Sequence, residues 1–308
     1  MNSGRLPNLL IVGVPKAGTS SLFSYLVQHP EICGSDRKEV GYFNYFNPLR
    51  HAASQLPSID SYMAHFAHCS GQRYALEATP SYCYKGQAVV DAIREQLDDP
   101  KVIVTLRNPT DRLWSDYTFQ RSLGNIPTIG SFDEYLSAVE QRRDGWTDLK
   151  LTSHRQGLLI GFYADYIPAW LDVFGSGARV VFTEDMARQP AQVLRELFDW
   201  LDVDPDVATL DLEARNVTSH ARSPKVASVV FALKRAGDRL KVLPPGVRRL
   251  LRRAYLRVNT GAVPERLDPT MRRRVDVIYR SSNRATAQAL TASGYSDLPP
   301  WLRDAISG

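Results

Sequence analysis

Apolar and polar positions along the chain alternate between two rhythms. Asn8–Val14 (NLLIVGV) is a short, continuous apolar run rich in branched residues, ended by a Gly/Pro/Lys loop. That pattern predicts a strand buried on both faces, as in a parallel sheet. Thr19–Gln28 follows with apolar residues at Leu22, Phe23, Leu26 and Val27. This is a helical spacing; Thr19 or Ser20 can cap its start, and His29-Pro30 closes it. The same succession recurs downstream. A helix over about Gln87–Leu97 precedes a strand at Lys101–Leu106 (KVIVTL), and Asn108-Pro109-Thr110 leads into a helix at about Asp111–Leu123. A helix near Leu158–Phe174 precedes a strand at Ala178–Phe182, and Gln192–Leu201 is an amphipathic helix after it. Strands alternating with helices at these spacings predict an α/β fold with a central parallel sheet flanked by helices.

From about Pro224 the character changes. The tail is helix-like and Arg-rich, and Pro244-Pro245 and Pro264 interrupt it; Arg248, Arg249, Arg252, Arg253 and Arg272–Arg274 stand out. It reads either as the solvated face of surface helices or as an electrostatic platform for an anionic substrate or a membrane surface. No internal repeat or low-complexity linker divides the chain. Its 308 residues are therefore read as one domain, an α/β core over about 1–205 and a helical C-terminal part over about 206–308. At 44% hydrophobic and 23% charged residues, the composition excludes disordered, collagen-like and disulfide-scaffold classes. The net charge of +5 favours an anionic ligand without identifying one. The 3 cysteines, Cys33, Cys69 and Cys83, form no CxxC pair. Their odd number argues against a disulfide framework and for a reducing compartment. No stretch approaches the roughly 18 apolar residues of a membrane span, so the expectation is a cytoplasmic protein.

The loop Gly13-Val14-Pro15-Lys16-Ala17-Gly18-Thr19-Ser20-Ser21 carries the most chemistry. Small residues let backbone N–H groups approach a ligand, and the following helix aims its free N–H groups and dipole at the same point. Lys16 adds a full positive charge, and Thr19, Ser20 and Ser21 add hydroxyl donors. Together these residues make a site for a phosphate-like or sulfate-like anion. It is not a Walker A loop, which puts Lys directly after the second Gly; here Thr19 follows Gly18 and Lys16 precedes it.

A second constellation is Leu106-Arg107-Asn108-Pro109-Thr110-Asp111-Arg112-Leu113-Trp114-Ser115-Asp116-Tyr117. Arg107 stands at the C-terminal end of a predicted strand, where open α/β sheets bind ligands. Ser115 falls about two turns into the next helix. Both can grip one phosphate, the Arg through its planar fork and the Ser by one hydrogen bond.

Pro-Lys-x-Gly-Thr-Ser-Ser after the first strand, with Arg-Asn-Pro-x-x-Arg-x-x-Ser-x-Tyr after a later one, resembles the sulfotransferases that use 3′-phosphoadenosine 5′-phosphosulfate (PAPS). The resemblance implies a P-loop-like three-layer fold. It implies that Lys16, Ala17, Gly18, Thr19, Ser20 and Ser21 hold the 5′-phosphosulfate, and that Arg107 and Ser115 hold the 3′-phosphate. Weaker similarity runs through Gly161-Phe162-Tyr163 to about residue 205. Lys38-Glu39-Val40-Gly41-Tyr42-Phe43 looks like a segment of the carbohydrate branch, which includes heparan sulfate enzymes and bacterial relatives; Glu39 inherits there the role of general base. Glu77-Ala78-Thr79-Pro80-Ser81-Tyr82 resembles Glu-Lys-Thr-Pro-x-Tyr of the same branch. Ala78 departs from that Lys, which puts a heparan-like substrate in doubt, and Glu77 becomes a rival base or an orienter of its loop. His220-Ala221-Arg222 lies roughly where relatives close a loop over the cofactor, and only Arg222 is carried over.

Other clusters read as structure. His65-x-x-His68-Cys69 has ligand-like spacing without a second cluster and reads as a polar helix face; His154 reads as a surface residue. No Ser/His/Asp pattern is present. The expectation is sulfuryl transfer to a hydroxyl of a sugar, glycolipid or natural product, with Glu39 and Lys16 catalytic, no metal and no nucleic acid. The rival readings are a P-loop nucleotide kinase and a non-catalytic polyanion binder; the arginine tail leaves room for peripheral membrane or polyanion contact.

Overall fold

A computed structural model describes residues 4–47, 56–122, 125–126, 129–140, 156–207, 210–212 and 266–307. Five strands form one sheet: β1 (Leu9–Gly13), β2 (Ile32–Gly34), β3 (Tyr74–Ala78), β4 (Lys101–Leu106) and β5 (Ala178–Phe182). The helices of the described residues are α1 (Thr19–Leu26), α2 (Ile59–Met63), α3 (Gln87–Gln96), α4 (Pro109–Ser122), α5 (Phe132–Glu140), α6 (Ile167–Phe174), α7 (Thr183–Arg188), α8 (Pro190–Leu201), α9 (Pro269–Ala292) and α10 (Pro300–Ser307). The chain divides into two compact units. One comprises Met1–Asn108, Phe162–Arg215 and Tyr279–Gly308, the other Pro109–Gly161 and Asn216–Ile278.

The first unit holds the whole sheet, in the order β2-β3-β1-β4-β5, with every neighbouring pair parallel. Every residue of β1 and of β3 is buried, as the continuous apolar run of β1 predicts for a strand covered on both faces. Leu9 and Ile11 of β1 and Leu76 and Ala78 of β3 share one core with Leu22 and Leu26 of α1 and Leu194, Phe198 and Leu201 of α8. Trp170 of α6 is fully buried, and its indole N–H donates to the Cys83 carbonyl at 2.9 Å. At the β5 edge, the Val180 N–H donates to the Tyr295 hydroxyl at 2.9 Å.

Three expectations need correction. Leu158–Phe174 is not one helix: two single 3₁₀ turns, Leu159–Gly161 and Tyr163–Asp165, precede α6. A continuous helix would place Pro168 in its interior, where the ring clashes and an N–H is missing; at the first turn of α6 it costs nothing. Second, Gly18, not Thr19 or Ser20, caps α1, at φ 79°. Third, Cys33 and Cys69 are joined in a disulfide with Cα atoms 5.7 Å apart, and Cys83 is the free, buried one. An odd count requires only that one cysteine be left over, so the argument for a reducing compartment fails. No helix of the described residues is long and apolar enough to cross a membrane.

The second unit contains α4, α5 and the first turns of α9. Buried Arg112 donates to the Gly157 carbonyl, and the Tyr135 hydroxyl donates to Asp116 at 3.1 Å. Arg272 is ion-paired with Asp111, and Arg274 with Asp133 at 2.7 Å and Glu140 at 2.5 Å. These arginines are occupied by acidic partners of their own unit, as on an ordinary solvated helix face. Arg248, Arg249, Arg252 and Arg253 lie outside the described residues.

Candidate active site

The loop after β1 is pinned to β4. The Val14 N–H donates to the Thr105 carbonyl at 2.8 Å, and the Thr105 hydroxyl returns a bond to the Gly13 carbonyl at 2.7 Å. Lys16 sits at φ 70° and Gly18 at φ 79°, a left-handed turn that swings the chain into α1. Glycine at position 18 relieves the positive φ; a Cβ there would lie 2.6 Å from Met186 Cε, the movable end of a flexible side chain. The first-turn N–H groups of α1 have no helical partners, and no acidic residue in that turn competes for them. With capping left to glycine, the hydroxyls of Thr19 and Ser20 serve something else. Lys38 donates to Ser20 Oγ at 2.5 Å and to Thr19 Oγ1 at 3.4 Å.

Lys38 and Glu39 come to this point on a loop laid along β3. The Ser35 N–H donates to the Leu76 carbonyl at 2.9 Å, and the Glu39 N–H to the Ala78 carbonyl at 3.0 Å. Glu39 itself adopts φ 62°, and its side chain is 63% exposed, with Oε1 3.7 Å from Lys38 Nζ. Lys38 is only 23% exposed; burial pushes its ammonium below the ordinary lysine range, while the Glu39 carboxylate pulls the other way. The structure thus joins Glu39 to the Thr19–Ser20 turn through a lysine that the sequence motifs leave without a role. The signal for it was its place beside the base candidate.

Glu77 has a different setting. It is 1% exposed, near the C-terminal end of β3, and accepts from the hydroxyls of Thr79 at 2.5 Å, Tyr82 at 2.8 Å and Tyr62. The Gly41 N–H adds a fourth bond at 3.4 Å. Phe43 packs edge-on against both Tyr62 and Tyr82, their ring centroids 5.6 Å away in each case. Burial raises the Glu77 pKa and the hydrogen bonds hold it back; both tyrosines are pushed well above the ordinary phenol range, first by burial and then by this carboxylate. A carboxylate so enclosed holds the Gly41 loop through that N–H.

Arg107 follows β4, adjacent to β1. Its Nη1 donates to the Lys16 carbonyl at 3.3 Å, and its own carbonyl accepts from Tyr163 at 2.7 Å. The β4 end is braced from β5 and α7: Thr183 donates to the Leu106 carbonyl at 2.9 Å, and the Asn108 N–H donates to Glu184 at 2.7 Å. β1 is followed in sequence by β2 on one side of it in the sheet and β4 by β5 on the other, so the strand order reverses between β1 and β4, where open α/β sheets bind ligands at the C-terminal strand ends. Lys16, Gly18, the α1 turn and Arg107 follow these two adjacent strand ends, and the donor set suits a ligand with separate phosphate groups. Ser115 is buried on α4, in the second unit. Arg222 and His154 lie outside the described residues. His68 Nε2 lies 3.0 Å from the Gly34 carbonyl oxygen, and the sulfurs of neighbouring Cys33 and Cys69 are spent on each other.

Residues 6–226 match the sulfotransferase-domain family, and the chain belongs to that family. It is 28% identical over 211 residues to the bifunctional heparan sulfate N-deacetylase/N-sulfotransferase 2 of Homo sapiens, covering 65% of this chain and 22% of that protein. It is 31% identical over 202 residues to the heparan sulfate glucosamine 3-O-sulfotransferase 3B1 of Mus musculus, covering 65% of this chain and 47% of that protein. The chain spans less than half the length of both. In fold it matches the crystal structure of a sulfotransferase from Alicyclobacillus acidocaldarius with a TM-score of 0.67, at 23% identity and covering 96% and 99% of the two chains.

Proposed function

We propose that this protein transfers a sulfuryl group from PAPS to a hydroxyl of a carbohydrate or small-molecule acceptor. One observation carries the reading: an exposed carboxylate, Glu39, is linked through Lys38 to an anion cradle built from the Lys16 loop and the first turn of α1. Family membership supports it and speaks against both the nucleotide kinase and the passive polyanion binder. The names of the two relatives cover transfer to nitrogen and to oxygen. A hydroxyl needs its proton taken as it attacks, and Glu39 supplies a base for that step.

The acceptor oxygen attacks sulfur in line as the bond from sulfur to the 5′-phosphate oxygen breaks. The electron pair stays on that oxygen, and the acceptor proton passes to the Glu39 carboxylate. Lys16 and the N–H groups of α1 stabilise the leaving oxygen as its charge grows. Arg107 holds the 3′-phosphate through its planar fork; the motif assigns Ser115 and Arg222 to the same cofactor. The sulfuryl group carries less charge than a phosphoryl group, and an arginine rather than an acid follows β4, so no step calls for a metal.

Calorimetric titration with 3′-phosphoadenosine 5′-phosphate (PAP) in EDTA tests the donor site. Wild type is expected to bind, and Lys16→Ala and Arg107→Ala to weaken binding at least about tenfold each, as loss of a charge-assisted contact does. Absence of PAP binding, or binding of ATP only with Mg²⁺, would overturn the reading.

A further inference from the structure

We propose that Lys38 is the residue that grips the sulfuryl group in transit, holding the donor's sulfate end rather than its phosphate. The inference rests on the donor reading above and follows from where the ammonium lies. Its Nζ is 2.5 Å from Ser20 Oγ and 3.4 Å from Thr19 Oγ1 on one side, and 3.7 Å from Glu39 Oε1 on the other. The α1 turn is where the donor's phosphate meets the helix N-terminus; Glu39 is where the acceptor's proton arrives. In-line transfer places sulfur between those two points, and Lys38 bridges them.

Electrostatics give this position a purpose. A base carboxylate beside a sulfate is a repulsive arrangement, and a cation between them offsets it. An ammonium has three donors and no acceptor. Two of its directions now meet neutral hydroxyls, which are weaker partners than anionic oxygen. Thr19 and Ser20 accept from Lys38 with their lone pairs, which leaves their own hydrogens to point at an incoming anion. The side chain is mostly buried, so its charge acts through protein more than through water.

The test compares PAP with PAPS by calorimetry in EDTA, on wild type, Lys38→Met and Lys38→Arg. PAP lacks the sulfate, so it reports the phosphate sites and the fold. The Met variant is expected to hold PAP within about twofold of wild type while binding PAPS at least about tenfold more weakly, the scale of one charge-assisted bond. The Arg variant should recover most of the loss. Equal weakening of both ligands, or of neither, would overturn the assignment of Lys38 while wild-type PAP binding keeps the donor site intact. A wild type that binds no PAP would overturn the donor reading, and this inference with it.

Discussion

Glu39 and Glu77 sit on adjacent backbones that exchange hydrogen bonds, in loops that the same family motifs mark out. Their surroundings separate them completely. Glu77 is enclosed by phenols and rings, with four donors aimed at its two oxygens. Glu39 stands on a left-handed backbone position with most of its carboxylate in solvent and one lysine for company. The pair shows that residue type and motif position leave two candidates for the base. The number of donors already spent on each carboxylate, and its exposure, are the grounds on which Glu39 is proposed.

The largest effect that can break this comparison is on turnover. Glu39→Gln should lower sulfate transfer from PAPS to a glycan hydroxyl by about 10²- to 10⁴-fold, with PAP affinity and melting temperature unchanged. The same loss from Glu77→Gln with an unchanged melting temperature would exchange the two roles. Next in size is stability. Glu77→Ala leaves three buried hydroxyls without their acceptor, and urea denaturation should show a loss of about 3 kcal/mol or more. A loss below about 1 kcal/mol would mean that the network is not structural.

The loop that presents Glu39 has a brace of its own nearby, since Cys33 lies on β2 just before it. Cys69→Ser should cost about 2–4 kcal/mol in the same denaturation, and reductant should destabilise wild type but not the variant. Indifference of wild type to reductant would remove the bond from the account. The smallest effect is the pH slope. Burial raises Glu77, so the folded chain binds this proton more tightly than the unfolded chain does. Its contribution is fully present below the ordinary carboxylate range and declines as pH rises through the raised value. The decline amounts to about 1.4 kcal/mol for every tenfold by which folding tightens the hold on the proton. Glu77→Gln should flatten that decline in urea midpoints measured across mildly acidic pH; an identical slope in the variant would assign it to other groups.

Much of the fold was legible because its signals are local. The runs at Leu9–Gly13, Lys101–Leu106 and Ala178–Phe182 are apolar and branched, and α1, α3 and α8 keep helical spacing. The glycine, lysine and hydroxyl loop is legible as a candidate anion site because its signal is local too. What escaped was non-local. β2 has only three residues, and β3 carries a carboxylate in its apolar run, acceptable only because Tyr62, Thr79 and Tyr82 satisfy it. The Cys33–Cys69 bond joins residues 36 apart. Lys38 has no reading of its own in the sequence; only the α1 turn beside it gives it one.

The five-stranded sheet ends, among the described residues, in β2 and β5, and open strand edges are templates on which a second chain can grow. Here one border offers three residues, too few to seed a lasting ladder. The other carries the exposed Arg179 and has its Val180 amide already engaged by the Tyr295 hydroxyl. Among the described residues, both borders of the sheet thus offer little free backbone for a copy of the chain to extend.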